Sequence, residues 1–200
     1  ALVDVTTGAV VNNDYHDHYI HLYEGWQEYI DKDAPDIYPE ELRYDIDALN
    51  DVIYADVNLA VNLAALAGTQ EEYEYYYDLV FDRLDWLEER LSTRRYLMGD
   101  TITSPDIRLF VTLTRFDLVF YQKYLLNKKR LVDYPNLWNY AKDLFSNPAF
   151  GGNTDFNSMR LRFYYVDHTP FADMPRLMPK GPDDSRWLEP NDRAEKFSKK

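Results

Sequence analysis

Thr103-Ser104-Pro105-Asp106 leaves a helix one place to begin. Thr103 and Asp106 have the spacing of a capping box, in which the hydroxyl accepts from the Asp106 amide and the carboxylate reaches back to the Thr103 amide. Pro105 falls in the first turn, where its missing N–H removes no bond. Ile102 and Ile107 flank the cap at the spacing of a hydrophobic staple. Behind this start Ile107, Phe110, Val111, Thr114, Leu118 and Tyr121 recur at helical spacing, so residues 104–124 are expected to form a central, largely buried helix. A capped carboxylate is fully explained by its cap, and Thr103 and Asp106 are therefore assigned a structural role rather than a catalytic one.

The same period runs through two longer segments. Ile46, Leu49, Ile53, Val57, Ala60 and Ala64 define a helix from Pro39-Glu40-Glu41 to Gly68. Tyr73, Tyr77, Val80, Leu84, Leu87 and Leu91 define the next. Shorter helices are expected over 137–145, stopped by Asn147-Pro148, and over 156–165. Ahead of these, Leu2-Val3-Asp4-Val5 and Ala9-Val10-Val11 bracket Thr6-Thr7-Gly8 as a hairpin. A helix capped by Asn13 or Asp14 then carries Tyr15, Tyr19, Leu22 and Tyr23 to Gly25. Two strands alone are marginal in water, so the hairpin reads as the edge of a larger sheet. Pro35 and Pro39 mark a linker, and prolines recurring from Thr169 predict an extended tail. The expected domains are 1–30, 31–168 and a tail over 169–200.

Composition removes several functions. The chain has no cysteine, which rules out disulfides, a thiolate nucleophile and cysteine-bound zinc within it. Residues 1–100 carry 23 acids and 6 bases, against 12 acids and 16 bases in residues 101–200. That acidic half argues against nucleic acid, whose phosphates need a basic footprint. No apolar run reaches the length of about 18 residues that spans a membrane, and Ala1-Leu2-Val3-Asp4 lacks the features of a secretion signal, so a cytoplasmic protein is expected. His16, Asp17, His18 and His21 lie close together, but no further ligands are nominated and no metal is expected. Lys128-Lys129-Arg130 reads as a solvated loop.

A wider pattern surrounds the capping box. Tyr96-Leu97-Met98-Gly99-Asp100 precedes it, and Arg115-Phe116-Asp117 and Asp133-Tyr134-Pro135-Asn136-Leu137-Trp138 follow. Asn153-Thr154-Asp155-Phe156, Phe163-Tyr164 and Gly181-Pro182 close the series. From about Leu2 to Pro182 the chain resembles the glutathione transferase family, in its C-terminal helical domain, and within it the Xi class of glutathionyl-hydroquinone reductases. The resemblance implies a mainly α fold: a glutathione transferase C-terminal-like helical bundle preceded by a remnant β-hairpin and helix of a thioredoxin-like domain. It implies a thiol oxidoreductase acting on glutathionyl-quinol or related thiol adducts through a cysteine of a Cys-Pro-Trp-Ala motif. Ala1-Leu2-Val3-Asp4 aligns just after the family's cis-proline, so that cysteine is expected outside this chain, which then carries no catalytic residue.

The resemblance also nominates binding residues. Where the family usually reads Asn-Glu-Ser to grip the γ-glutamyl end of glutathione, this chain has Asn13-Asp14-Tyr15, so the cosubstrate is expected to be glutathione or another low-molecular-weight thiol. Of the family's two substrate-contacting tyrosines, one aligns with Asn62 and the other is kept as Tyr164. The implied partners are a small-molecule thiol and an electrophile, with a homodimer possible. A non-catalytic helical module for interaction or dimerisation is the alternative.

Overall fold

A computed structural model describes residues 1–166 and 177–198. The chain is mainly helical. Strands β1 (Leu2–Val3) and β2 (Val10–Asn12) pair antiparallel. Asp4 tightens their turn by accepting from the Thr6 and Thr7 amides at 2.7 and 3.3 Å. Gly8 takes a φ of +70°, which only a residue without Cβ adopts freely.

Helix α1 (His18–Gly25) begins later than the sequence predicts. Asn12 Oδ1 accepts from the Asp14 amide and Asp14 Oδ1 from the His16 amide, at 2.5 and 2.8 Å. These short side chains bond their neighbours' backbone in successive turns instead of capping a helix. Tyr15 therefore precedes α1 rather than lying on it.

The first long helix is interrupted. α2 (Arg43–Ile53) passes through a π turn, Tyr54–Leu59, into α3 (Ala60–Leu66). Thr69 caps α4 (Gln70–Ser92) by accepting from the Glu72 amide at 3.1 Å, while Glu72 accepts from the Gly68 amide at 2.9 Å. The central helix is also broken, into α5 (Ser104–Arg115), a π turn Phe116–Phe120, and α6 (Tyr121–Lys123). α7 (Pro135–Ser146) and the short α8 (Pro148–Gly151) follow. α9 (Phe156–Leu161) runs on into a π turn, Arg162–Val166, and α10 (Arg193–Lys196) lies near the end. α3 packs on α4, α2 on α5, and α4 on α7. Leu109, Leu113 and Phe116 are fully buried, which makes α5 the central helix.

The capping box forms. Thr103 N donates to Asp106 Oδ2 at 2.8 Å, as expected, and the Asp106 amide donates to the Thr103 carbonyl at 3.0 Å. The Thr103 hydroxyl turns to donate to the same carboxylate oxygen at 3.1 Å. Asp106 Oδ1 accepts from the Leu97 amide at 2.9 Å and the Tyr140 hydroxyl at 2.7 Å. One buried carboxylate thus joins the start of α5 to the preceding loop and to α7. Burial raises its pKa. Ile107, the expected staple residue, is 40% exposed.

The tail departs from an extended surface segment. Its residues Asp184–Leu188 form a 3-10 turn that sets Trp187 against Trp138, Phe145 and Phe156, with ring centroids 4.9, 5.4 and 5.5 Å away. Arg193 is 1% exposed and donates to the Leu91, Arg94 and Arg95 carbonyls at 2.8, 2.5 and 2.5 Å. Those carbonyls, at and beyond the end of α4, have no helical partner of their own, and the guanidinium supplies one. Residues 169–176 and 199–200 of the expected tail lie outside the described residues.

Candidate functional site

Two features meet along α5, and the first is a buried junction. Arg108 is 6% exposed and sits among three tyrosines, its guanidinium carbon 5.5, 5.2 and 5.5 Å from the rings of Tyr15, Tyr19 and Tyr54. Its Nε donates to Asn50 Oδ1 at 3.2 Å and its Nη2 to the His16 carbonyl at 2.9 Å. Asn50, itself buried, donates to Ser104 Oγ at 3.0 Å. His16 stacks on Tyr54 and its Nε2 lies 2.8 Å from Asp51 Oδ1. Arg108 thereby ties the turn that contains Asn13, Asp14 and Tyr15 to the helical body.

A parallel tie joins the first long helix to α5. Asn58, in the π turn, donates to the Arg108 carbonyl at 3.1 Å and to Thr112 Oγ1 at 2.6 Å. Tyr19 and Tyr38 both donate to Asp47, and burial, followed by the nearby carboxylate, pushes the Tyr38 phenol up to about 12. Tyr54 and Asn58 both lie in this π turn, and both reach Arg108.

The second feature is an open cleft of about 260 Å³ between α5 and the segment containing α8 and α9. Ile107, Phe110, Val111 and Thr114 form the α5 side; Phe150, Thr154 and Met159 form the other. Phe110 and Phe150 meet edge to face, 5.0 Å between centroids. Arg115 also lines the cleft and donates from Nη1 to the Val111 carbonyl of its own helix. Burial lowers its pKa. Among the described residues it makes no ion pair.

The nominated residues are spread around these features. Asn13, Asp14 and Tyr15 are exposed, immediately ahead of α1. Asn62 is exposed on α3 and donates to the Asn58 carbonyl at 2.8 Å. Tyr164 is half-buried and donates to the Leu118 carbonyl at 3.0 Å, with Lys123 Nζ 5.6 Å from its ring. No hydrogen bond joins Asn62 to Tyr164, and neither lines the cleft. Among the described residues no group of three or more His, Asp or Glu side chains is placed to hold a metal, and no helix is long and apolar enough to cross a membrane.

Residues 70–143 match the family model described as the glutathione S-transferase C-terminal domain. The glutathionyl-hydroquinone reductase PcpF of Sphingobium chlorophenolicum is 39% identical over 147 residues, covering 74% of this chain and 46% of PcpF. The chain belongs to the glutathione transferase family. Within it the likeness is to the Xi class. The Xi glutathione S-transferase of Phanerochaete chrysosporium superposes with a TM-score of 0.83 at 36% identity, over 90% of this chain and 58% of the other. The glutathione-bound structure of YqjG, a glutathione transferase homolog from Escherichia coli K-12, gives 0.87 at 31% identity, over 98% and 62%. The chain thus spans less than two thirds of each of these relatives.

In this transferase domain the sequence left Arg108, Asn50 and Asn58 without roles. A signal was present. Asn50 falls in phase with the apolar positions Ile46, Leu49, Ile53 and Val57, where a polar side chain needs a buried partner. Asp117 accepts from the Leu131 and Val132 amides and caps the turn Leu131–Asp133. Lys128 and Lys129 both approach Asp85 at 3.5 Å, and Arg130 pairs with Asp133, as suits a solvated loop.

Proposed function

We propose that the chain forms the electrophile-side wall of a glutathione transferase-like thiol oxidoreductase that acts on glutathionyl-quinol or related thiol adducts. The observation that carries this reading is the apolar cleft along α5 beside the tied turn of Asn13, Asp14 and Tyr15. A flat ring fits the first and a peptide-like thiol the second. The thiolate comes from a cysteine outside this chain. It attacks the adduct's sulfur, the sulfur–carbon bond breaks, and the arene carbon takes up a proton as the quinol leaves. A second thiol molecule then resolves the mixed disulfide, returning the thiolate and releasing an oxidised thiol. Thiolate attack of this kind is controlled by the fraction ionised and by access.

In this scheme Asn13, Asp14 and Tyr15 hold the thiol cosubstrate. Tyr164 bonds the Leu118 carbonyl in the second half of the central helix, and Asn62 stands exposed on α3; in this reading a phenol there stacks on or bonds to a planar substrate with polar edges. Asn62 lacks a ring, which shifts preference toward a smaller electrophile. Consumption of reduced thiol suits the reducing cytoplasm. The protein encoded by the whole gene is expected to release hydroquinone from its glutathionyl adduct in the presence of thiol, as followed by chromatography. Tyr164→Phe in that protein is expected to slow the release. Absence of release with every low-molecular-weight thiol supplied defeats the reading, and full activity in Tyr164→Phe removes the hydroxyl's part.

A further inference from the structure

Arg108 is a buried cation without a carboxylate. Arg83, Arg95 and Arg160 each meet one, at 2.6, 2.9 and 2.6 Å. The partners of Arg108 are instead the Asn50 side chain and the His16 carbonyl. Its Nη1 is buried and has no hydrogen-bond partner among the described residues. What encloses it are rings: the guanidinium carbon lies 5.5, 5.2 and 5.5 Å from the centres of Tyr15, Tyr19 and Tyr54. A guanidinium that no carboxylate neutralises keeps its full charge for such faces, and removal from water strengthens the attraction.

The three rings differ in what else holds them. Tyr19 donates to Asp47, and Tyr54 stacks on His16 at 5.2 Å. Tyr15 is 51% exposed, and its ring is held by Arg108, by Tyr54 at 6.2 Å and by the near-perpendicular ring of His18 at 6.4 Å. Of the three it is the one a ligand can reach. We propose that Arg108 is a positioning residue for the thiol cosubstrate, acting through Tyr15: it holds that half-exposed ring in the pose the thiol meets. The inference rests on the reading of Asn13, Asp14 and Tyr15 as the thiol turn and adds the buried group that shapes it. Arg108 itself is 6% exposed and touches no cosubstrate. Its effect is confined to binding, because a ring already in place avoids the ordering entropy that a loose one loses when the ligand arrives. Loss of Arg108 therefore raises the thiol's dissociation constant. The bond-breaking step, which belongs to a thiolate outside this chain, is unchanged.

A double-mutant cycle in the protein encoded by the whole gene tests this, with glutathione as the probe. Titration calorimetry gives its dissociation constant, and hydroquinone release at saturating glutathione gives kcat. Arg108→Met is expected to weaken glutathione about tenfold, the scale of one desolvated cation–π contact, with kcat held within about a factor of two. Arg108→Lys, which keeps the charge without the planar fork, is expected to retain part of the affinity. Tyr15→Ala weakens glutathione as well, and the double variant is expected to lose less than the two single losses combined, because one residue acts through the other. Tyr54→Leu removes the ring on which Tyr15 leans and serves in the same cycle where Arg108→Met fails to fold. Arg193→Met, which removes a buried guanidinium bonded to the end of α4, is the control for stability alone and is expected to leave glutathione binding unchanged. Unaltered glutathione affinity in Arg108→Met overturns the proposal, as do additive losses in the double variant. A fall in kcat as large as the fall in affinity, or equal weakening by Arg193→Met, assigns the effect to general loosening and also overturns it. Quinol release by the unsubstituted protein is followed in the same assay. Its absence defeats the reading of the thiol turn, whereas release with unaltered affinity in Arg108→Met defeats the positioning role alone.

Discussion

Asp106 shows what one buried side chain can hold together. Four donors converge on it, from the Leu97 and Thr103 amides and the Thr103 and Tyr140 hydroxyls. A helix cap alone is worth about 0.5–2 kcal/mol, and each buried donor left unpaired costs roughly 1–3 kcal/mol more. Asp106→Ala is therefore expected to exceed the cost of an ordinary cap, measured as the loss of unfolding free energy in urea; a loss under about 1 kcal/mol would show that the network relaxes around the gap. The pH dependence has a definite sign. Burial raises the native pKa of Asp106 above the ordinary carboxylate value, so the native state keeps its proton to higher pH than the unfolded chain does. The stability this group contributes is complete below its unfolded pKa of about 3.9 and is lost as pH rises through the native value. The difference in unfolding free energy between the unsubstituted chain and Asp106→Asn should accordingly fall as pH is raised from about 4. A difference that stays flat with pH refutes the raised pKa.

Helices were legible where apolar residues kept the 3.6 period, and less so where local polar groups intervened. The spacing of Tyr73 to Leu91 predicts α4, and Thr69 and Glu72 fix its start as the sequence pattern allows. The π turns that interrupt the first long helix and the central helix were not legible, because a single inserted residue barely disturbs an apolar stripe that packs on both sides. The α1 start was misplaced because Asn12 and Asp14 serve turns as well as they serve caps. Of the candidate site, the resemblance nominates the turn of Asn13, Asp14 and Tyr15, whereas the Arg108 junction needed three segments far apart in sequence to be brought together. The tail was misread for a related reason: few apolar residues suffice when one is Trp187. Because Trp187 fills a pocket of four aromatic rings, Trp187→Ala is expected to cost about 3–5 kcal/mol, read as a shift of the urea midpoint. A midpoint within error of the unsubstituted chain would return the tail to the surface. Thr69→Ala, which removes only the α4 cap, is expected to cost about 1 kcal/mol.

At the scale of the whole molecule, the proposed function separates holding a substrate from transforming it. The hairpin and α1 are bound to the helical body through Arg108, and their exposed valines Val3, Val5, Val10 and Val11 give the short sheet little of its own to bury. The helical body supplies a cleft, a cation and hydrogen-bonding phenols. It supplies no sulfur nucleophile, because the chain contains no cysteine. Breaking a sulfur–carbon bond in an adduct by attack at sulfur needs a thiolate, and proton transfer from tyrosine or histidine does not replace it. Burial also raises the Tyr164 phenol, which makes it a hydrogen-bond donor rather than a nucleophile near neutral pH. The 200-residue chain is therefore expected to show no thiol-dependent release of hydroquinone above the uncatalysed rate while still binding flat arenes. Incubating purified chain with a glutathionyl-hydroquinone adduct and excess thiol, and following quinol by chromatography, decides this. Release that grows in proportion to the amount of chain would mean that other residues perform the bond cleavage, and that the division between wall and thiolate has been drawn in the wrong place.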